Sequence, residues 1–461
     1  MGGAFVMEDT IAAISTPVGE AGLAVVRLSG AQALTVADRC FVPLGRGRIK
    51  VCDAASHTVH YGKMVSSGKR LDEVMLTVYH PPRTFTREPM VEISCHGGIL
   101  PAKLVLDALL AAGARMAEPG EFTKRAFLNG RIDLAQAEAV ADIIHSRTEL
   151  ALEAANEQLE GRLSRRINLL RDDLMSVLAH LEAHLDFPDE DIQPDAQEKI
   201  RGRLEDALVF MTELLRTANE GRILRRGIRA VIVGRPNAGK SSLLNELLGQ
   251  NRAIVSPLAG TTRDTIEETA NIRGLPVVFI DTAGLRIAGD AIEQEGVRRT
   301  REALARVELV LHVLDASALW TPEDTAHLEE FSGKKRILIR NKIDLTPRME
   351  MPSGIGSPVI DVSCVNGQGI EPLKDSIKEL VWAGEIRAGM LQVMINSRHQ
   401  EALNRAREAT RRTIEAMDGG APLDLVAIDL RIATGAVGEI VGKTATEDLL
   451  DSIFSQFCIG K

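Results

Sequence analysis

The segment Gly234-Arg235-Pro236-Asn237-Ala238-Gly239-Lys240-Ser241 constrains this chain more than any other, because the pattern G-x-x-x-x-G-K-[ST] requires a strand before it and a helix after it. The sequence supplies both. Ile228-Arg229-Ala230-Val231-Ile232-Val233 is apolar and β-branched, and Leu243, Leu244 and Leu247 carry the pattern on as a helix. In that setting the backbone N–H groups of Asn237 to Ser242 and a helix N-terminus converge on anionic oxygens. Lys240 reaches the β- and γ-phosphates, and the Ser241 hydroxyl can ligate magnesium. A short Gly/Lys pattern also occurs in ordinary loops, so the rest of a nucleotide site has to be found downstream.

It is found in order. Asp281-Thr282-Ala283-Gly284 follows the apolar run Val277-Val278-Phe279-Ile280, which puts a carboxylate at a strand end facing the metal and a glycine beside the γ-phosphate. Asn341-Lys342-Ile343-Asp344 follows Arg336-Ile337-Leu338-Ile339-Arg340. There Asp344 can accept both N–H groups on the guanine edge, a donor pattern that adenine lacks. Ser363-Cys364 ends the run Val359 to Val362 and fits a loop closing over the guanine. Gly260-Thr261-Thr262-Arg263-Asp264 is a candidate switch whose Thr262 can ligate magnesium when the γ-phosphate is present. Any one of these segments could be a plain loop; together, in this order, they specify a GTPase. One part is missing. Leu285 stands where many GTPases carry a water-orienting glutamine, and leucine has no hydrogen-bonding group. Asp290, Glu293 and Glu295 are the nearest acids, and each also reads as a solvated loop charge.

At 461 residues the chain has room for about three domains. Its 45% hydrophobic content supports real cores. No uninterrupted apolar run approaches the length of about 18 residues that a spanning helix needs, and the N-terminus carries no signal or transit pattern, so a cytoplasmic protein with no membrane association is expected. Cys40, Cys52, Cys95, Cys364 and Cys458 form no C-x-x-C pair, which indicates neither a disulfide framework nor a zinc site. A net charge of −9 argues against a polybasic RNA clamp.

The expected architecture is multidomain. An α+β domain (1–120) has strands at Ala24–Leu28, Val74–Tyr79 and Met90–Ser94 and a helix at Pro101–Ala112. A discontinuous all-α domain (121–220 and 376–461) has long helical stretches at Leu134–Leu163, Ser164–Leu185 and Ala196–Glu220, and an α/β P-loop GTPase domain (221–375) is inserted in it. Phe187 to Pro194 reads as a loop, and the C-terminal part as a two-helix tail packed on the first helical block.

The phosphate loop, the switch Ala259-Gly260-Thr261-Thr262-Arg263-Asp264, Asp9-Thr10-Ile11-Ala12-Ala13, the run Pro119-Gly120-Glu121-Phe122-Thr123-Lys124-Arg125-Ala126-Phe127-Leu128-Asn129-Gly130 and the ending Phe457-Cys458-Ile459-Gly460-Lys461 resemble the MnmE (TrmE) family across the whole chain. The terminal Cys-Ile-Gly-Lys is rare among GTPases. The resemblance implies a homodimeric, potassium-dependent GTPase that forms a heterotetramer with an FAD-containing, MnmG-like partner and acts on tRNA. It also implies that a one-carbon unit from 5-formyl- or 5,10-methylene-tetrahydrofolate and an amine are joined to carbon 5 of the wobble uridine, giving an aminomethyl or carboxymethylaminomethyl group. GTP hydrolysis there drives conformational change through GTPase-domain dimerisation.

For the residues, the resemblance implies a potassium cage of Asn237, Ser256, Leu258 and Thr261, with Glu293 acting on the attacking water through a bridging water. The first domain would bind the folate and dimerise, with Arg27, Glu92, Arg131 and Lys461 around the folate. The chain departs from the family pattern at Arg131, where lysine is an alternative, and at Arg87-Glu88-Pro89, where Gly-Glu-Asp is usual. Cys458 reads either as a nucleophile toward an activated carbon or as a packing residue. Cys95-His96-Gly97-Gly98 reads as a glycine-rich turn after a strand. Arg162, Arg165, Arg166, Arg222, Arg225 and Arg226 could touch tRNA or the partner, or simply sit at helix ends. The competing reading of the whole chain is an RNA-binding switch GTPase of ribosome assembly.

Overall fold

Alternating apolar residues build one sheet of this protein and continuous apolar runs build the other. The structure, a computed structural model, describes residues 9–45, 49–186, 194–249, 267–280, 306–352, 354–382 and 394–461. The chain divides into two compact units. The first takes the chain through Ala141, then Ser164–Asp172 and Thr434–Lys461; the second comprises Asp142–Leu163 and Asp173–Ala433.

In the first unit, β1 (Ile11–Ile14), β2 (Ala21–Ser29), β3 (Phe41–Pro43), β4 (Thr58–Ser66), β5 (Lys69–Tyr79), β6 (Met90–Gly97) and β7 (Arg115–Met116) form a seven-stranded sheet in the order β3-β4-β5-β6-β2-β1-β7. Only the β1–β7 pair is parallel. Val26, Leu28, Leu76, Val78, Val91 and Ile93 share one face and are buried with residues of helices Ala33–Cys40 and Ile99–Ala111. The register puts Arg27 opposite Glu92 and Glu92 opposite Thr77 on the other face. That face also carries Val59, Tyr61 and Met75, each 44% exposed or more. β5 begins five residues before the apolar run at Val74, because the ladder to β4 continues through polar side chains.

In the second unit, β8 (Ile228–Val233), β9 (Glu267–Ile272), β10 (Leu275–Ile280), β11 (Leu309–Asp315), β12 (Lys335–Asn341) and β13 (Val359–Asp361) form a sheet in the order β13-β12-β11-β8-β10-β9, parallel except for the β9–β10 hairpin. β10 is buried at every position, as expected of a strand covered on both faces. From β8 the chain goes first to β9 and β10 on one side and then to β11 on the other. This reversal opens a crevice beyond the carboxyl end of β8, the usual ligand position in such sheets.

The helices depart from the sequence expectation at their ends. The stretch expected at Leu134–Leu163 is two helices, Leu134–His145 and Glu149–Leu159, because Thr148 caps the second by accepting from the Ala151 N–H. Gly161, at φ +79°, separates Glu149–Leu159 from helix Arg162–Asp186. Pro194 is not in a loop but opens helix Pro194–Arg216, where its missing N–H costs nothing; residues 187–193 of the expected loop lie outside the described residues. The helical pattern that returns at Glu371 first supplies helix Ile370–Val381, whose Leu373, Ile377 and Val381 are buried in the core of the second sheet. Among the described residues the tail beyond it has three helices rather than two: Ser397–Asp418, Leu423–Val441 and Glu447–Phe454. Gly420 and Gly442, both in the left-handed region, provide the extra punctuation. Helix Ser397–Asp418 packs on Pro194–Arg216, so the helical domain is discontinuous and the GTPase domain is inserted in it.

His312 of β11 is fully buried, and neither of its ring nitrogens has a hydrogen-bond partner among the described residues. Burial pushes its pKa down to about 4; the neighbouring His327 adds to this, Asp324 opposes it and Arg336 adds again. Between pH 6.5 and about 4 the unfolded chain binds a proton that the folded chain refuses, so stability falls with pH through that window. The full loss is about 3 kcal/mol. His312→Leu should therefore lose less of its thermal midpoint between pH 7.5 and 5 than the parent chain does; equal losses in the two proteins would refute this.

Candidate functional site

The crevice at the end of β8 is a cavity of about 820 Å³, large enough for a nucleotide, and Asn237, Gly239, Lys240, Ser241 and Ser242 line it. The loop is shaped by close approaches that exclude side chains. Gly234 has φ +139°, and a Cβ there would lie 2.1 Å from the Val313 carbonyl oxygen. Gly239 has φ +99° and caps helix Lys240–Leu248; a Cβ there would meet the Asn341 amide nitrogen at 2.1 Å. Asn237 itself sits at φ +63°, a conformation asparagine tolerates better than most residues, and is exposed to the cavity. Lys240 Nζ donates to the Gly234 and Arg235 carbonyls at 2.9 and 2.8 Å, which folds its ammonium back over the loop that a phosphate would occupy.

Asn341 is buried, with its amide nitrogen donating to the Ala238 carbonyl at 2.9 Å and its amide oxygen accepting from the Cys364 N–H at 3.2 Å. It thus ties the phosphate loop to the loop expected to cover the base. Ser363 Oγ donates to Asp344 Oδ1 at 2.6 Å, fixing the carboxylate that would read guanine. Lys342, at φ +67°, pairs with Asp315 at 2.6 Å. Leu345 and Val365, both exposed apolar residues on the cavity wall, could flank a base. Burial pushes the Cys364 thiol up to about 11, with Glu246 and Asp344 adding to the effect, so it is a neutral wall rather than a nucleophile. Sequence reasoning missed Arg235, whose Nε lies 3.1 Å from the buried carboxylate of Asp324. Asp324 also closes the capping box of helix Pro322–Glu330, so the arginine fastens the phosphate loop to a helix start that no local pattern connects with it. Ser256, Leu258, Gly260, Thr261, Thr262, Asp281, Thr282, Ala283, Gly284 and Glu293 lie outside the described residues.

In the first unit, Arg27 Nε and Nη2 both lie 2.8 Å from Glu92 Oε1, and Tyr79 donates to the other carboxylate oxygen at 3.3 Å. The Arg27 guanidinium also faces the rings of Phe122 and Phe85 at 5.7 and 6.0 Å, and its Nη1 donates to the Gly460 carbonyl at 3.2 Å. The chain's last residues are therefore brought to the Arg27–Glu92 pair. Ser15 Oγ donates to the same Gly460 carbonyl at 3.1 Å, Pro119 bridges Ile459, and a Cβ on Gly460, at φ +93°, would meet the Ile14 carbonyl oxygen at 2.5 Å. Gly120, at φ +67°, packs equally tightly on the Phe454 carbonyl, so two glycines lock this junction. Burial lowers the pKa of the Lys461 ammonium, the Arg27 cation adds to this, and Glu92 and Cys458 oppose it. Arg131 stacks on Phe85 at 4.9 Å and, with Glu92, lines a second cavity of about 550 Å³. Tyr79, Phe85 and Phe122 were missed by sequence reasoning, although Tyr79 falls in the alternation of β5 on the same face as Thr77.

Cys458 is exposed, and its carbonyl accepts from the Gly120 and Lys461 N–H groups. Cys95 is buried with its pKa pushed up to about 11, whereas the adjacent His96 is exposed and bonded to Asp72, so the two form no dyad. Several of the arginines considered for tRNA contact have acidic partners within the chain: Arg162 with Glu157, Arg222 with Glu308 and Arg225 with Asp142. Among the described residues no group of three or more His, Cys, Asp or Glu side chains is arranged to hold a metal ion, and no helix is long and apolar enough to cross a membrane.

Comparison with known proteins covers both units. Residues 10–131 match the family described as GTP-binding protein TrmE N-terminus, and residues 134–458 match the MnmE helical domain. The tRNA modification GTPase MnmE of Geobacillus kaustophilus is 48% identical over 460 residues, covering 98% of this chain and 99% of the relative. That of Chloroflexus aurantiacus is also 48% identical over 460 residues, covering 99% of this chain and the whole of the relative. Matches of this length take in the α+β domain as well as the nucleotide motifs. The chain belongs to the MnmE (TrmE) family of tRNA modification GTPases, enzymes that hydrolyse GTP.

Proposed function

We propose that this GTPase depends on potassium and, with an FAD-containing, MnmG-like partner in a heterotetramer, installs an aminomethyl or carboxymethylaminomethyl group at carbon 5 of the tRNA wobble uridine, using a tetrahydrofolate one-carbon unit. The observation that carries this reading is the delivery of the chain's last residues to the Arg27–Glu92 pair. A nucleotide switch has no need of a carboxylate, two arginines and a terminal lysine gathered beside aromatic rings on an open sheet face. A pterin suits them. Its amino and ring N–H groups donate to a carboxylate such as Glu92, while Arg27, Arg131 and Lys461 suit polar ring atoms and the glutamate tail. Bound there, the folate supplies a one-carbon unit. The chain's part is to hold the pterin plane and bring Cys458 beside it, as a nucleophile or as packing.

In the second unit the residues fit GTP and magnesium. The Gly234 and Gly239 positions form a cradle that any side chain would fill, Lys240 supplies the cation and Ser241 the hydroxyl. We assign Asn237, with oxygens of Ser256, Leu258 and Thr261, to potassium. Asn237 fits that role because its side chain is exposed at the lip of the phosphate loop. Potassium there supplies the charge stabilisation that an arginine finger gives elsewhere. Thr262 and Asp281 belong on the magnesium side, and Glu293 takes the water-orienting role that Leu285 cannot fill. The proposed domain division is 1–120, 121–220, 221–375 and 376–461. Homodimerisation through the first domain is supported by the exposed face carrying Val59, Tyr61 and Met75.

The decisive experiment is nucleoside mass spectrometry of tRNA from cells lacking the protein, complemented with the parent gene or with Cys458→Ser. Loss of the modified wobble uridine is expected in the deletion, and its persistence would overturn the reading. Retention of the modification by Cys458→Ser would leave the thiol a packing role. Glu293→Ala should keep GTP affinity within about twofold and lower turnover by about 10² or more, the range for a water-positioning group; unchanged turnover would sink the assignment. Replacing potassium by sodium should suppress both turnover and the association of GTPase domains seen by light scattering with a transition-state mimic, and equal behaviour in the two salts would exclude the potassium cage.

A further inference from the structure

The cavity beside Glu92 holds more positive charge than a pterin with a single glutamate requires. Arg83, Arg87 and Arg131 line it, and none of the three has a carboxylate partner among the described residues. Its one acid among the described residues, Glu92, is already engaged by Arg27 at 2.8 Å. Arg87 and Arg131 are close enough that, after burial, the Arg87 cation is what depresses the Arg131 pKa. Like charges held together without a counter-ion are unfavourable until an anion arrives. Arg87 carries a second cost: it adopts φ +60°, a left-handed conformation that a long side chain rarely takes, and its Nη1 donates to the Asn129 carbonyl at 3.0 Å. The guanidinium is thus tethered at the cavity wall. Arg131 is oriented by its stack on Phe85.

We propose that this cavity receives the γ-linked oligoglutamate tail of the folate, and that Arg83 and Arg87 read its additional carboxylates. The proposal rests on the folate reading above and deepens it. A chain of carboxylates spaced along flexible amide links matches several separate guanidinium groups, each able to take one carboxylate in a bidentate pair. An RNA backbone is the other polyanion available. The apolar Phe85 and buried Met90 in its lining favour a carboxylate chain on amide links over a phosphodiester strand.

Isothermal titration of the full chain with 5-formyl-tetrahydrofolate bearing one or five glutamates tests this. The pentaglutamate should bind about tenfold more tightly, the gain expected from two partly solvated ion pairs. In the double variant Arg83→Ala/Arg87→Gly that ratio should fall toward one. Because Arg87→Gly relieves the backbone strain, the thermal midpoint should not drop, and the variant can be read as folded. Equal affinities in the parent chain would overturn the proposal while leaving the folate site standing. Failure of both folates to bind would overturn the folate reading and the proposal with it. A variant that keeps the tenfold ratio but binds tRNA more weakly would give the arginines to RNA and likewise overturn it.

Discussion

The amide of Asn341 is the joint on which the nucleotide site depends. It gives its N–H to the phosphate loop at Ala238 and takes the N–H of Cys364 from the loop beyond β13, so both halves of its polar capacity are spent inside the protein. A side chain with only one of these functions would leave a buried backbone group unpaired, at a cost of about 1–3 kcal/mol. Aspartate would lose the donor and leucine both. The phosphate loop comes from the end of β8 and the base loop from the edge of the sheet at β13. Asn341, at the end of β12, holds them in register, so that phosphates gripped by one place the base against Asp344, whose carboxylate Ser363 of the other fixes. Arg235 does the same from the opposite flank by anchoring the phosphate loop to Asp324.

The first unit is organised by an equivalent lock made of backbone rather than side chain. Gly120 and Gly460 allow chain segments to touch at distances no Cβ would permit, and the Gly460 carbonyl, held by Ser15 and Arg27, brings Lys461 and Cys458 to the sheet. This accounts for the glycine of the terminal Cys-Ile-Gly-Lys in steric terms. Arg27 is fixed on several sides, by Glu92, by two aromatic rings and by the Gly460 carbonyl. A guanidinium so fully engaged pre-organises the carboxylate beside it and presents little freedom to lose when a ligand arrives.

What the sequence disclosed follows from the range of each interaction. The phosphate loop, the Asn341-Lys342-Ile343-Asp344 run and the strands before them were readable because their chemistry is contiguous: strand, turn, donor and helix lie within about a dozen residues. Helix ends were misjudged where a single residue decides them, as at Thr148, or where glycine punctuation subdivides a continuous helical pattern, as at Gly442. Arg235 with Asp324, Tyr79 with Glu92 and the stacking of Arg27 on Phe122 were invisible for a different reason. Each joins residues whose proximity is set only by tertiary packing. Arg27 and Glu92 themselves entered through family resemblance, since an isolated arginine and glutamate on two strands carry no local signal.

The face of the first sheet that carries Arg27 and Glu92 also carries Val59, Tyr61 and Met75, while the opposite face is closed by two helices. Such a division is common in antiparallel sheets. One face makes the core, and the other must serve both a polar site and whatever covers the apolar residues. If the second copy of this chain covers them, the polar half of the face becomes the rim of that interface, shielded from bulk water on one side. Ion pairs such as Arg27–Glu92 strengthen as the surrounding dielectric falls, so assembly and ordering of the polar site would reinforce one another without any residue having to move between them.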